Sequence, residues 1–221
     1  MRVSKPLLSL LGALLIAGAS QAQGNSGKPD PRIAFEETAV TASGLTPGKT
    51  VIWFGVEHRV DADYSGDIYQ FYRTGTAAAD GTARLDLDHP PAPRAFWVAV
   101  DLDSGAFDVK GSNGYRLARP AKLPRLGVGQ GAKADELLDD HPYLMGLMVR
   151  PGEGAWAFTG GDGGPRDEDG KSDGHLALAL DRFDPLPGSP AAPAKIKGSD
   201  LWFVIDPMNL EISRSLGGVA Q

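Results

Sequence analysis

Thr50-Val51-Ile52-Trp53-Phe54-Gly55-Val56 follows the turn pair Pro47-Gly48 and carries one of the four tryptophans of the chain. Seven β-branched, aromatic and apolar residues entered from a turn, with no helical period, predict a buried strand. The same features return as Pro151-Gly152 followed by Trp156 in G-A-W-A-F-T. The central element is therefore expected twice.

Outward from Thr50, short apolar segments alternate with turn residues. Strands are expected at 33–37, 39–42, 50–60, 68–73, 82–87, 95–102 and 107–110, separated by Gly44, Ser65-Gly66, Asp80-Gly81, the prolines 90, 91 and 93, and Ser104-Gly105. Further strands are expected at 144–150, 155–159, 175–183, 201–205 and 210–213. Residues 112–126 read as an irregular connection, and A-K-A-D-E-L-L at 132–138 as a brief helical turn stopped by His141-Pro142. Short strands at this spacing predict an all-β chain, an antiparallel sandwich or barrel.

The halves also run parallel in content. Trp53, Gly81 in G-T-A-R-L-D-L-D, and Trp97 in F-W-V-A-V-D are followed in the second half by Trp156, Gly174 in G-H-L-A-L-A-L-D, and Trp202 in L-W-F-V-I-D. The tryptophans of the two pairs stand 44 and 46 residues apart. An internal duplication accounts for this order, with chance likeness between two sets of alternating strands as the alternative. All four tryptophans are expected in the core, because burying one removes some 150–250 Å² from water.

The stretch Val40-Thr41-Ala42-Ser43-Gly44-Leu45-Thr46-Pro47-Gly48-Lys49-Thr50-Val51 resembles the Leu-x-Pro-Gly turn of fibronectin type III and related bacterial immunoglobulin-like domains. Where fibronectin type III domains usually place the tyrosine of their corner, this chain has Val51. The resemblance implies immunoglobulin-like packing and brings no catalytic residue with it. With the duplication, it leads to two tandem immunoglobulin-like antiparallel β-sandwiches, 31–118 and 119–216, ahead of a tail at 217–221.

The first 22 residues carry the marks of a cleaved signal peptide: basic Arg2 and Lys5, an apolar run at 7–17, and small Ser20 and Ala22 at the −3 and −1 positions. The run is too short for a membrane-spanning helix, so an exported chain, periplasmic or secreted, is expected, with a disordered polar leader at 23–30. Arg2 and Lys5 leave with the signal, so 20 basic residues face 28 acidic ones, a net charge of −8. That balance disfavours nucleic acid, whose phosphates are held by Lys and Arg. The chain has no cysteine. In an oxidising space its core must hold it without disulfides.

Two stretches invite chemistry. Gly160 to Gly174 places Asp167, Asp169, Gly170 and Asp173 at D-x-D-G-x-x-D, the spacing of central oxygens in a calcium loop, with Asp162 near enough to join. Pro165 and Leu176 stand where the EF-hand pattern begins and ends with acids, so a solvated hairpin tip is the plainer reading and calcium the one cofactor these residues could take. The second stretch holds Tyr64, Tyr69, Phe71 and Tyr72. Period-2 alternation puts Tyr69 and Phe71 on one face and Tyr72 on the other, where an exposed ring could stack on a sugar or clamp a peptide, or simply pack within the sheet. His58, His89, His141 and His175 fall at no metal-binding spacing, and no nucleophile elbow or phosphate-cradling glycine pattern is present. Asp101 and Asp206, each four residues after a tryptophan, suit turns better than acid and base work. The expectation is an exported non-catalytic binding or structural module for a protein or glycan partner. The alternative is a hydrolase of cell-wall or extracellular polymer with a carboxylate site.

Overall fold

The computed structural model describes residues 28–60, 66–112, 125–129, 143–161, 175–191, 193, 195–206 and 211–216. Those residues form thirteen strands in three sheets, and among them no helix is long and apolar enough to cross a membrane. The signal peptide, residues 23–27 of the leader, the helical turn at 132–138 and the tail lie outside the described residues.

Sheet A joins β1 (Arg32–Phe35), β2 (Ala39–Ser43) and β5 (Ala83–Asp86) in the order β1-β2-β5. Sheet B joins β3 (Thr50–Val60), β4 (Gly66–Thr76), β6 (Arg94–Asp101) and β7 (Phe107–Gly111) in the order β4-β3-β6-β7. Sheet C holds β8 (Arg125–Gly129), β9 (Tyr143–Arg150), β10 (Gly154–Gly161), β11 (His175–Pro185), β12 (Leu201–Asp206) and β13 (Glu211–Leu216). Its order is β13-β12-β9-β10-β11-β8.

Alternation along the strands divides the core into layers. Val51, Trp53, Trp97 and Ala99 face sheet A and pack with Ile33, Val40 and Ala42. Ile52, Phe54, Val56, Phe96, Val98 and Val100 face the other way and pack on Leu147, Val149, Ala155, Leu201 and Phe203 of sheet C. On the far side of sheet C, Trp156, Phe158, Phe183 and Trp202 form a third cluster with Met148, Leu178 and Val204, with Ile196 packed against it. All four tryptophans are almost fully buried, as expected. None lies between sheets B and C; that layer is mainly aliphatic, with Phe54, Phe96 and Phe203.

Three differences from expectation have physical causes. β8, which begins in the last two residues of the connection read as irregular and continues where no strand was expected, pairs parallel to β11, so the sheets are antiparallel except for this pair. R-L-G-V-G has two glycines that weaken any strand signal, and its partner lies 50 residues on in sequence. The described strands of the second half form one sheet, which packs on sheet B, so a single core cluster draws on both sides of the division at 118 and 119. The proposed repeats also differ in strand order: β3 and β6, which carry Trp53 and Trp97, are neighbours, whereas β9 stands between β10 and β12, which carry Trp156 and Trp202.

The two Pro-Gly turns do agree. Lys49 N donates to Thr46 O at 3.2 Å and Glu153 N to Arg150 O at 3.0 Å, with Gly48 and Gly152 at φ +73° and +74°. Proline at the second position and a left-handed glycine at the third make both type II turns.

Candidate functional site

One end of sheet B gathers the polar and aromatic side chains. Glu57 lies in register with Tyr69 of β4 and Ala95 of β6. Alternation turns it to the sheet A side, beyond Trp53 and Gly55, and its carboxylate is fully buried. His89, in the bend before β6, brings Nδ1 within 3.8 Å of Glu57 Oε2. The same nitrogen lies 2.9 Å from Pro90 O; since a carbonyl only accepts, Nδ1 carries the proton. Phe71 stacks on Trp97 at 5.7 Å between ring centres and tilts against His89 at 6.3 Å. Tyr69, at 40% exposure, is the large hydrophobic side chain that the described surface leaves in the open.

Tyr69 and Phe71 share the sheet A face and Tyr72 takes the opposite one, as alternation predicts. Tyr72 stacks on Phe54 at 5.0 Å. Its hydroxyl donates to Gly146 O at 3.2 Å or to Gln70 Oε1 at 2.6 Å, tying sheet B to sheet C. Burial first, then the charge of Asp184, push the phenol well above the usual tyrosine range. Tyr72 is thus a packing residue, and Tyr69 is the member of the group turned to solvent. Tyr64 lies outside the described residues, as do Asp162, Asp167, Asp169 and Asp173. Among the described residues no cluster of three or more His, Asp or Glu could hold a metal ion.

The carboxylates inside the described structure act as tethers. Asp101 Oδ2 accepts from Thr46 N at 2.6 Å and Oδ1 from Ser104 N and Oγ at 3.0 Å, binding the first Pro-Gly turn to the end of β6. Burial raises its pKa, but the bonds from Thr46 and Ser104 outweigh this and hold it below the usual carboxylate range. Asp200 grips Arg150 at 2.7 and 2.9 Å and accepts from Lys197 N at 2.8 Å. Arg150 in turn donates to Lys195 O at 3.0 Å and lies over the Trp156 ring at 5.6 Å. Ser112 links Ala95 N to Ala92 O.

Hydrolysis of a glycosidic bond needs two carboxyl groups about 5 to 9.5 Å apart. Asp101 faces Val51 across β3 and β6, whereas Arg94 faces His58, seven residues along, roughly 23 Å away at about 3.3 Å per residue. Asp101 and His58 therefore do not meet. His175 opens β11 and Asp206 closes β12 of the other sheet.

Glu57, Arg150 and Asp200 were not singled out from sequence, although one signal was there. In W-F-G-V-E-H, Glu57 falls on the same parity as Trp53, an acid on the buried face of a strand. No protein family profile matches the chain, and no curated protein matches it in sequence.

Proposed function

We propose that the chain is an exported, non-catalytic binding or structural module whose contact surface is the outer side of sheet B around Tyr69. The exposure of Tyr69 on an outermost strand carries this reading. A rigid aromatic at a sheet edge offers contact area at low entropic cost, and backbone groups beside it add hydrogen bonds. Export rests on the signal-like residues 1–22.

An immunoglobulin-like fold is proposed for the first half. Support comes from its strand orders, β1-β2-β5 against β4-β3-β6-β7. With the strands lettered A, B, C, C′, E, F and G, sheet A holds A, B and E, and sheet B holds C′, C, F and G, with the fourth strand joined to the C-F-G sheet as in variable-type domains. The turn at Leu45-Thr46-Pro47-Gly48 joins β2 to β3, whereas a tyrosine corner stands before the sixth strand.

A photo-crosslinking phenylalanine analogue in place of Tyr69, with exposed Arg84 as the control site, tests the contact surface in cells that export the chain. Adducts to a protein or glycan from position 69 and not from 84 are expected. Absence of adducts, together with release of reducing ends from cell-wall polymer by the purified chain, would favour the hydrolase.

A further inference from the structure

Sulfur is scarce in this chain, which has four methionines and no cysteine. Among the described residues Met145 and Met148 carry it, and both lie on β9. Three residues along a strand put them on opposite faces. Met148 is fully buried, in register with Trp156 on one side and Trp202 on the other. Met145 turns to sheet B, where it is only partly buried and packs at the margin of the core between sheets B and C.

The sulfur of Met145 has polar company. Gln70 of β4 reaches across to sheet C, and its Nε2 donates to Met145 Sδ. Tyr72 fixes the other end of the amide, with its hydroxyl 2.6 Å from Gln70 Oε1 and 3.2 Å from Gly146 O. Turned over, the amide would set its oxygen against the sulfur lone pairs, so the NH2 end faces the sulfur. A thioether is a weak acceptor. The donor stands where a stronger acceptor on the same atom would use it better.

We propose that Met145 is a redox modification site, which takes one oxygen atom from a hydroperoxide and whose sulfoxide is held by Gln70. A sulfur lone pair attacks the outer peroxide oxygen. The S–O bond forms as the O–O bond breaks, and the proton moves to the departing oxygen, which leaves as water or an alcohol. The sulfur loses two electrons and the peroxide gains them. In a wholly apolar setting the sulfoxide oxygen would be buried without a donor and would disrupt the packing. Here Gln70 supplies the hydrogen while its own oxygen stays bonded to Tyr72, so the polar product fits at the junction of the two sheets.

Hydrogen peroxide added to the full mature chain, with fragment-ion mass spectrometry to locate the oxygen, tests the site. In the folded chain Met145 should oxidise at least roughly ten-fold faster than Met148, and in urea the two should react alike. Thermal denaturation reads the product, each oxidised chain against its own untreated form. The loss of Tm should be small in the wild type and roughly 5 °C greater in Gln70→Leu, where the amide donor is gone. Equal rates at Met145 and Met148 in the folded chain, or the same loss of Tm with and without Gln70, would overturn the inference; the first of these needs no variant to fold.

Discussion

Gly55→Ala is the smallest change that probes the packing between sheets A and B. Gly55 stands opposite Trp97 on β6 and Phe71 on β4. A Cβ there would lie 2.7 Å from Cε3 and Cζ3 of Trp97 and 2.8 Å from Cδ2, closer than real Cβ contacts come. The indole has nowhere to go: it is fully buried and stacked on Phe71. Overpacking of this kind costs about 1–3 kcal/mol, and removing a glycine from a strand returns about 0.5–1 kcal/mol. The net loss is about 1–2 kcal/mol, a fall in Tm of roughly 2–8 °C for a chain of this size. Thermal and urea denaturation of Gly55→Ala, Trp97→Leu and the double variant measure it. Because a leucine leaves room for the methyl, the double variant should be more stable than the sum of the singles by about 1–2 kcal/mol. A Gly55→Ala chain that melts at or above wild type, or costs that simply add, would refute the packing described.

Asp101→Asn should lower stability at neutral pH. Its folded pKa is depressed, so the carboxylate stabilises the fold above the unfolded value near 4, and this is lost as pH falls through the lower folded value; urea midpoints against pH should show a shallower acid limb in the variant. Asp200→Asn leaves buried Arg150 with only half-exposed Glu153, 3.5 Å away, as a counter-charge and should cost about 3 kcal/mol, most of it recovered in Arg150→Met/Asp200→Leu, where neither buried charge remains. The plainer reading of the stretch with Asp162, Asp167, Asp169 and Asp173, that it holds no metal, predicts identical melting curves in EDTA and in millimolar calcium; a calcium-dependent rise that Asp169→Asn abolishes would make it a metal site.

How much the sequence disclosed depended on the range of the interaction. The two Pro-Gly turns are settled within four residues by proline's fixed φ and glycine's left-handed freedom, and both were legible. So were most strands, since the alternation in T-V-I-W-F-G-V needs only its own residues. β8 was not, because its pairing is parallel and its partner distant. The acid Glu57 was visible on a buried parity, but its neighbour His89 comes from a bend 32 residues away. Arg150 and Asp200 likewise meet across 50 residues. Nothing local to either residue announces the pair.

Alternation also left the choice of partner face open, and the division of the chain turns on it. β3 and β6 of sheet B and β9, β10 and β12 of sheet C each bury apolar side chains on both faces, which a two-sheet domain would not require: one face of a sandwich sheet ordinarily meets water. In Ile52, Phe54, Val56, Phe96, Val98 and Val100 the first half carries a complete second apolar face, buried on sheet C. Expressed alone, residues 31–118 would expose that face, far larger than the few hundred Å² a monomeric surface tolerates. The fragment should therefore aggregate or bind a hydrophobic dye strongly, and Phe54→Lys/Val98→Lys should make it soluble while destabilising the full chain. A fragment that is soluble, cooperative in melting and dye-negative without those changes would mean that sheets A and B form an independent domain and that sheet C is only leaning on it.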